Sequence, residues 1–92
     1  MNYYKRHWDE TTEGELTRSW GKSIYYFETD LDHTVLRQIQ VYENGMGLKY
    51  SDEFICDNYG GLSDQPLDVQ DFEKYKIDKN DFEKAWATDY KK

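Results

Sequence analysis

The chain has 92 residues, and a length this short allows one hydrophobic core, so a single domain over 1–92 is expected. It carries 19 acidic and 12 basic side chains for a formal net charge of -7, which excludes a binder that tracks nucleic-acid phosphates with clustered Lys and Arg. Aromatic residues make up 17% of the chain and there is one proline, a composition that folds rather than stays disordered.

Residues 3–8 alternate, with Tyr4, Arg6 and Trp8 on one face and Tyr3, Lys5 and His7 on the other, so a first strand is expected. The polar stretch 9–17 reads as a loop. Residues 23–28 hold Ile24, Tyr25, Tyr26 and Phe27 in a continuous run of β-formers, which predicts a central strand. Asp30, Leu31 and Asp32 supply a turn. Residues 34–42 resume strand character, with Val35, Arg37, Ile39 and Val41 on a face that reads as core apart from Arg37, and Leu36, Gln38, Gln40 and Tyr42 on the other. Asn44-Gly45 follows, flanked by period-two apolar residues, and predicts a tight hairpin with a type I′ turn.

From 51 to 66 the period is lost, and Gly60-Gly61 interrupts any regular element, so an irregular loop is expected. Two helix starts follow with the same device. Asp68 and Asp71 can cap the first while Leu67 staples to Phe72; Asp78, Asp81, Ile77 and Phe82 repeat the arrangement ten residues later. Capping rules alone generate this similarity, without internal duplication. The second helix is expected from Lys79 to about Tyr90, packing Phe82, Ala85 and Trp86. The predicted fold is therefore α+β: an antiparallel sheet of about four strands in 1–50, a loop in 51–66, and two helical segments in 67–92 packed on the sheet.

No residue set assembles a recognisable active site. His7 lies near Asp9, and His33 near Asp30 and Asp32, but neither has a nucleophile in a known motif. Asp52, Glu53 and Asp57 form an acidic cluster, as do Asp30 and Asp32, without the spacing of a calcium loop. Cys56 lacks the second thiol of a zinc motif or of an internal disulfide. Gly45-Met46-Gly47 and Gly60-Gly61 read as turns rather than phosphate loops. No catalytic residue, metal or cofactor is expected. With no apolar span and no signal sequence, a cytoplasmic protein without membrane contact is expected.

Acidity is uneven. Residues 1–50 hold eight acids and six bases, whereas 51–92 hold eleven and six. Glu53, Asp57, Tyr59, Asp64, Asp68 and Asp71 are the candidate partner-binding residues, because hot spots combine aromatic anchors with a charged rim. Residues 38–45, 59–67 and 82–86, with Lys5-Arg6-His7-Trp8, resemble a family of small acidic bacterial proteins classed as a domain of unknown function. The likeness covers nearly the whole chain, is most specific in 59–67, and implies no catalytic residues. In character, though not in motif, such proteins are similar to the immunity proteins of bacterial toxin systems. The expected function is an immunity-like or antitoxin-like inhibitor whose acidic face blocks the basic cleft of a toxin such as a nuclease. The alternatives are a phage or mobile-element protein that inhibits a host defence nuclease by imitating nucleic-acid charge, a small enzyme using a histidine and a carboxylate, and a plain accessory domain. Oligomeric state is not legible, since strand order decides which sheet edges are free.

Overall fold

The computed structural model describes residues 1–8 and 18–90, with the side chain of Arg18 excepted; the loop expected at 9–17 lies outside them. Five strands, β1 (Asn2–Trp8), β2 (Ser23–Thr29), β3 (Val35–Tyr42), β4 (Gly47–Ser51) and β5 (Lys76–Ile77), form one antiparallel sheet in the order β4-β3-β2-β1-β5. Helix α1 (Val69–Phe72) runs into a 3-10 turn at Glu73–Tyr75, and α2 (Lys79–Ala87) ends the regular structure. The architecture is α+β, and the run at 23–28 is the central strand. β5 is an addition to the four expected strands: it pairs Ile77 with Tyr3 and Lys76 with Tyr4, between the two expected helical segments. Two residues are too few to show a period. No helix among the described residues is long and apolar enough to cross a membrane.

Both faces of the sheet are buried, where alternation had suggested one. On the first face, Tyr3 and Ile39 pack with Phe82 and Ala85 of α2, joined by Tyr26, Val41, Ile77, Trp86 and Tyr90. On the second, Tyr4, Phe27 and Val35 meet Leu62, Leu67 and Phe72, while Tyr42, Leu48 and Tyr50 meet Trp20 and Met46. Gln38, Gln40 and Tyr42, expected on the outward side of β3, are buried. Interior hydrogen bonds make the polar ones tolerable: Gln40 Nε2 donates to Ser23 Oγ at 3.0 Å. Val35 also changes side. Thr29 pairs with Val35 and Glu28 with Arg37, so Leu36 is the extra residue of a β-bulge that turns Val35 towards Tyr4 and Phe27.

Arg37, the charged member of the expected core face, clasps α2 to the sheet. Its Nε and Nη2 donate to the two carboxylate oxygens of Glu28, each at 2.8 Å, and Nη2 also pairs with Glu83 of α2. The rings of Phe82 and Trp86 lie 4.9 and 5.0 Å from its guanidinium carbon.

The β3–β4 hairpin forms at Asn44-Gly45 but with a different turn. Gly45 alone in it has positive φ (88°), Gly45 N donates to Tyr42 O at 3.0 Å and Tyr42 N to Met46 O at 2.8 Å. This is a three-residue loop with a glycine bulge, and the Asn44 carboxamide accepts from Met46 N at 3.0 Å. Helix α2 stops short of Tyr90. Thr88 is extended, and the chain returns so that Tyr90 Oη donates to Ala85 O at 2.9 Å with its ring over Gly47. Lys49 Nζ donates to Thr88 O at 2.6 Å.

Two outcomes are expected. The Arg37 hydrogen bonds hold the Glu28 carboxyl below its ordinary value of 4.5, against the opposing effect of burial. A lowered folded value means that the stabilisation is complete above 4.5 and is lost as pH falls through the folded value. Urea unfolding of Glu28→Gln at pH 7 should show a loss of about 2 kcal/mol, and its stability should fall less steeply below pH 4.5 than that of the unaltered chain. In Gly47→Ala, the added methyl collides with the Tyr90 ring. Displacing that ring should cost about 1–3 kcal/mol, measured by thermal melting, and Tyr90→Ala in the same chain should make the Gly47 change nearly neutral.

Candidate protein-interaction surface

The segment after β4 has no period, so its shape comes from side chains that bond its backbone. Asp57 Oδ1 accepts from Tyr50 Oη at 2.8 Å, Tyr59 N at 2.9 Å and Gly60 N at 3.2 Å. Desolvation, followed by this bond to Asp57, pushes the Tyr50 hydroxyl well above its ordinary range, so it stays a neutral donor. Phe54 stacks on the Tyr50 ring at 6.1 Å, and Cys56 bridges to Gly61 in strand fashion. Gln38 completes the frame from β3. Its Nε2 donates to Gly61 O at 3.2 Å and its Oε1 accepts from Ser63 N at 2.9 Å, so one buried amide serves the loop backbone on both sides. Further along, Leu67 N donates to His33 O at 3.0 Å.

This frame presents most of the candidate residues outward. Glu53, Asp64, Asp68 and Asp71 are exposed, and none forms an ion pair among the described residues. Asp68 also accepts from Gln70 N at 2.9 Å, capping α1 as expected, whereas Asp78 makes no such side-chain bond at α2. Tyr59 lies at the surface with its ring 5.1 Å from Trp20. Asp57 differs from its companions: it is half-buried and belongs to the loop frame.

Residues 51–73 contain seven carboxylates and no Lys or Arg. Phe54, Ile55, Tyr59 and Val69, exposed at 46, 60, 36 and 42%, are interleaved with those acids. Ile55 and Val69 were not among the candidates. For Ile55 the signal is an apolar residue in a stretch with no period to bury it; Val69 opens α1, a helix too short to show which side faces solvent. The acidic start of α2 belongs to a helix on the other side of the sheet. Phe72 of α1 packs on the second face and Phe82 of α2 on the first, so the helices cover opposite sides.

The two histidines are held apart by the sheet. His7 pairs with Ile24 near the start of β2, and His33 follows its other end, so about 17 Å of strand separates them. His33 has φ 67°, a left-handed conformation in the turn where Asp30 Oδ1 accepts from Asp32 N and Thr34 N. His7 shares a shallow groove of about 260 Å³ with Glu43, whose carboxylate accepts from Lys22 N at 2.9 Å. No group of three His, Cys, Asp or Glu among the described residues is placed to hold a metal.

Searches by family, by curated sequence and by solved structure find no match to this chain.

The two classes of aspartate should separate by stability. Asp57→Ala leaves three donors without their acceptor and should lower stability by about 2–3 kcal/mol, a fall of roughly 10 °C or more in Tm. Asp64→Asn and Asp71→Asn should each stay within about 0.5 kcal/mol by the same melt. Equal losses at Asp57 and Asp64 would show that the loop does not depend on this frame.

Proposed function

We propose that this chain is a protein-binding module that docks a basic protein through residues 53–71, acting as an immunity-like or antitoxin-like inhibitor. One observation carries the proposal: the exposed carboxylates of Glu53, Asp64, Asp68 and Asp71, none in an ion pair among the described residues, interleave with exposed apolar side chains on a segment held in shape by hydrogen bonds to Asp57 and Gln38. Carboxylates without counter-ions steer a cationic partner over distance and enforce register. Phe54, Ile55, Tyr59 and Val69 supply apolar area that contact can desolvate, which carries most binding energy at such interfaces. A pre-shaped loop loses little conformational entropy on docking. The substrate cleft of a nuclease is a basic, concave surface, and this face complements it in charge.

Co-purification with the product of the adjacent gene tests the proposal. Charge reversal of Asp64, Asp68 and Asp71 to Lys should weaken that complex by about tenfold or more at 0.15 M salt, chiefly through a slower association rate. Reversal of Asp78 and Asp81, on the helix covering the other face, should weaken it much less. Equal effects from the two sets would reduce the attraction to net charge, and unchanged affinity after the first would end the electrostatic proposal.

A further inference from the structure

Arg37 and Arg6 sit in similar aromatic surroundings and differ in their anions. Arg37 lies against two rings and bonds two carboxylates. Arg6 lies against three rings, with its guanidinium carbon 5.0 Å from Phe72, 5.2 Å from Tyr75 and 5.9 Å from Trp8. No carboxylate pairs with it among the described residues. Glu73, just past Phe72, pairs instead with Lys76 at 3.6 Å. A half-buried guanidinium keeps five donors in a planar fork that matches a carboxylate, and stacking on rings satisfies none of them.

The donors border a cleft of about 320 Å³ on the second face of the sheet, at the small end of the range for ligand sites. Trp8, Tyr25, Phe27 and Phe72 line it, with Tyr25 stacked on Phe27 at 5.5 Å and edge-on to Trp8 at 6.2 Å. Other polar groups at its rim are already engaged. The Gln38 amide is bonded on both sides to the loop, and Ser63 Oγ donates to Gln65 O at 3.0 Å. Burial pushes the Tyr25 hydroxyl up to about 12, so it brings no negative charge to the cleft at neutral pH.

We propose that this cleft binds a planar aromatic monocarboxylate, its carboxylate on the Arg6 fork and its ring against Trp8, Tyr25 and Phe72. Aromatic walls select a flat apolar body, and the single cation selects one negative charge. A doubly charged phosphate is disfavoured, because Asp64 and Asp71 adjoin the lining residues Ser63 and Phe72 in a protein of net charge -7. The cleft borders the segment proposed to dock a basic protein, sharing Gly61 and Ser63 with it, but its ligand rests on Arg6 and the aromatic walls and stands whether or not that docking occurs.

Titration of the full chain with 2-naphthoate, its neutral carboxamide and inorganic phosphate tests the proposal, followed by the N–H signals of Arg6 Nε and the Trp8 indole in nitrogen-resolved NMR spectra. Both signals should move saturably with 2-naphthoate, with a midpoint below about 1 mM. The carboxamide should bind about tenfold more weakly or worse, and phosphate should not compete at similar concentration. In Arg6→Gln, the Trp8 signal should lose the preference for the acid over the amide. Absence of saturation up to about 10 mM, equal affinity for acid and amide, or phosphate as strong as 2-naphthoate would overturn the proposal. The acid-to-amide ratio in the unaltered chain decides the point even if Arg6→Gln does not fold.

Discussion

The sheet buries side chains on both faces, and the rest of the structure follows from the need to cover it twice. Tyr3 and Tyr4 are neighbours in β1, point to opposite sides, and are 8% and 0% exposed. A strand whose alternate residues are both apolar requires two covers. Residues 52–87 provide both in one pass. They cross the second face as loop and α1, round the β1 edge as β5, and return over the first face as α2. The two hydrophobic staples mark the landings: Leu67 and Phe72 join the Tyr4 cluster, Ile77 and Phe82 the Tyr3 cluster.

Aromatic rings do much of the covering, and they let cations into the interior margins. Arg37 crosses from sheet to helix because its guanidinium presents flat faces to Phe82 and Trp86 and a fork to Glu28. Lys49 does the same at the other end of α2, lying 5.9 Å from Trp86 and 5.4 Å from Tyr90 while donating to Thr88 O. Each pairing combines ring contact with a hydrogen-bond acceptor, which compensates the partial loss of water.

The loop over the second face depends on polar groups buried beneath it. Gln38 would be a liability inside an apolar core, yet here its amide takes the place of a neighbouring strand for Gly61 and Ser63. Asp57 does the equivalent for Tyr59 and Gly60. Because these two residues fix the backbone, Glu53, Asp64 and Asp71 remain at the surface with no ion pair or side-chain hydrogen bond among the described residues, and Asp68 serves as the α1 cap. A dense acidic surface is thereby built on a braced loop, close in sequence to apolar side chains that remain partly exposed.

Local chemistry was enough to show the first four strands, the central position of 23–28, the Asp68 cap and the apolar stripe of α2, because each depends on spacing within a few residues. The excess of acids after β4 was equally legible. Residues that act across the fold were not. Arg37 read as an exception on an apolar strand, since Glu28 is nine residues away and Glu83 forty-six. Val35 was assigned to the wrong face, because a bulge at Leu36 inverts the alternation and only pairing with β2 creates it. Asp57 resembled the other surface acids, though its donors come from Tyr50 and the turn it closes. Sequence by itself determined the four long strands, the places where the chain turns and the distribution of charge. Tertiary structure decided which acids face solvent and which brace the loop, that the two helix starts lie on opposite sides, and that Arg6 and Arg37 have different partners. The physical reason is that burial and pairing depend on distance in space, which composition and period do not contain.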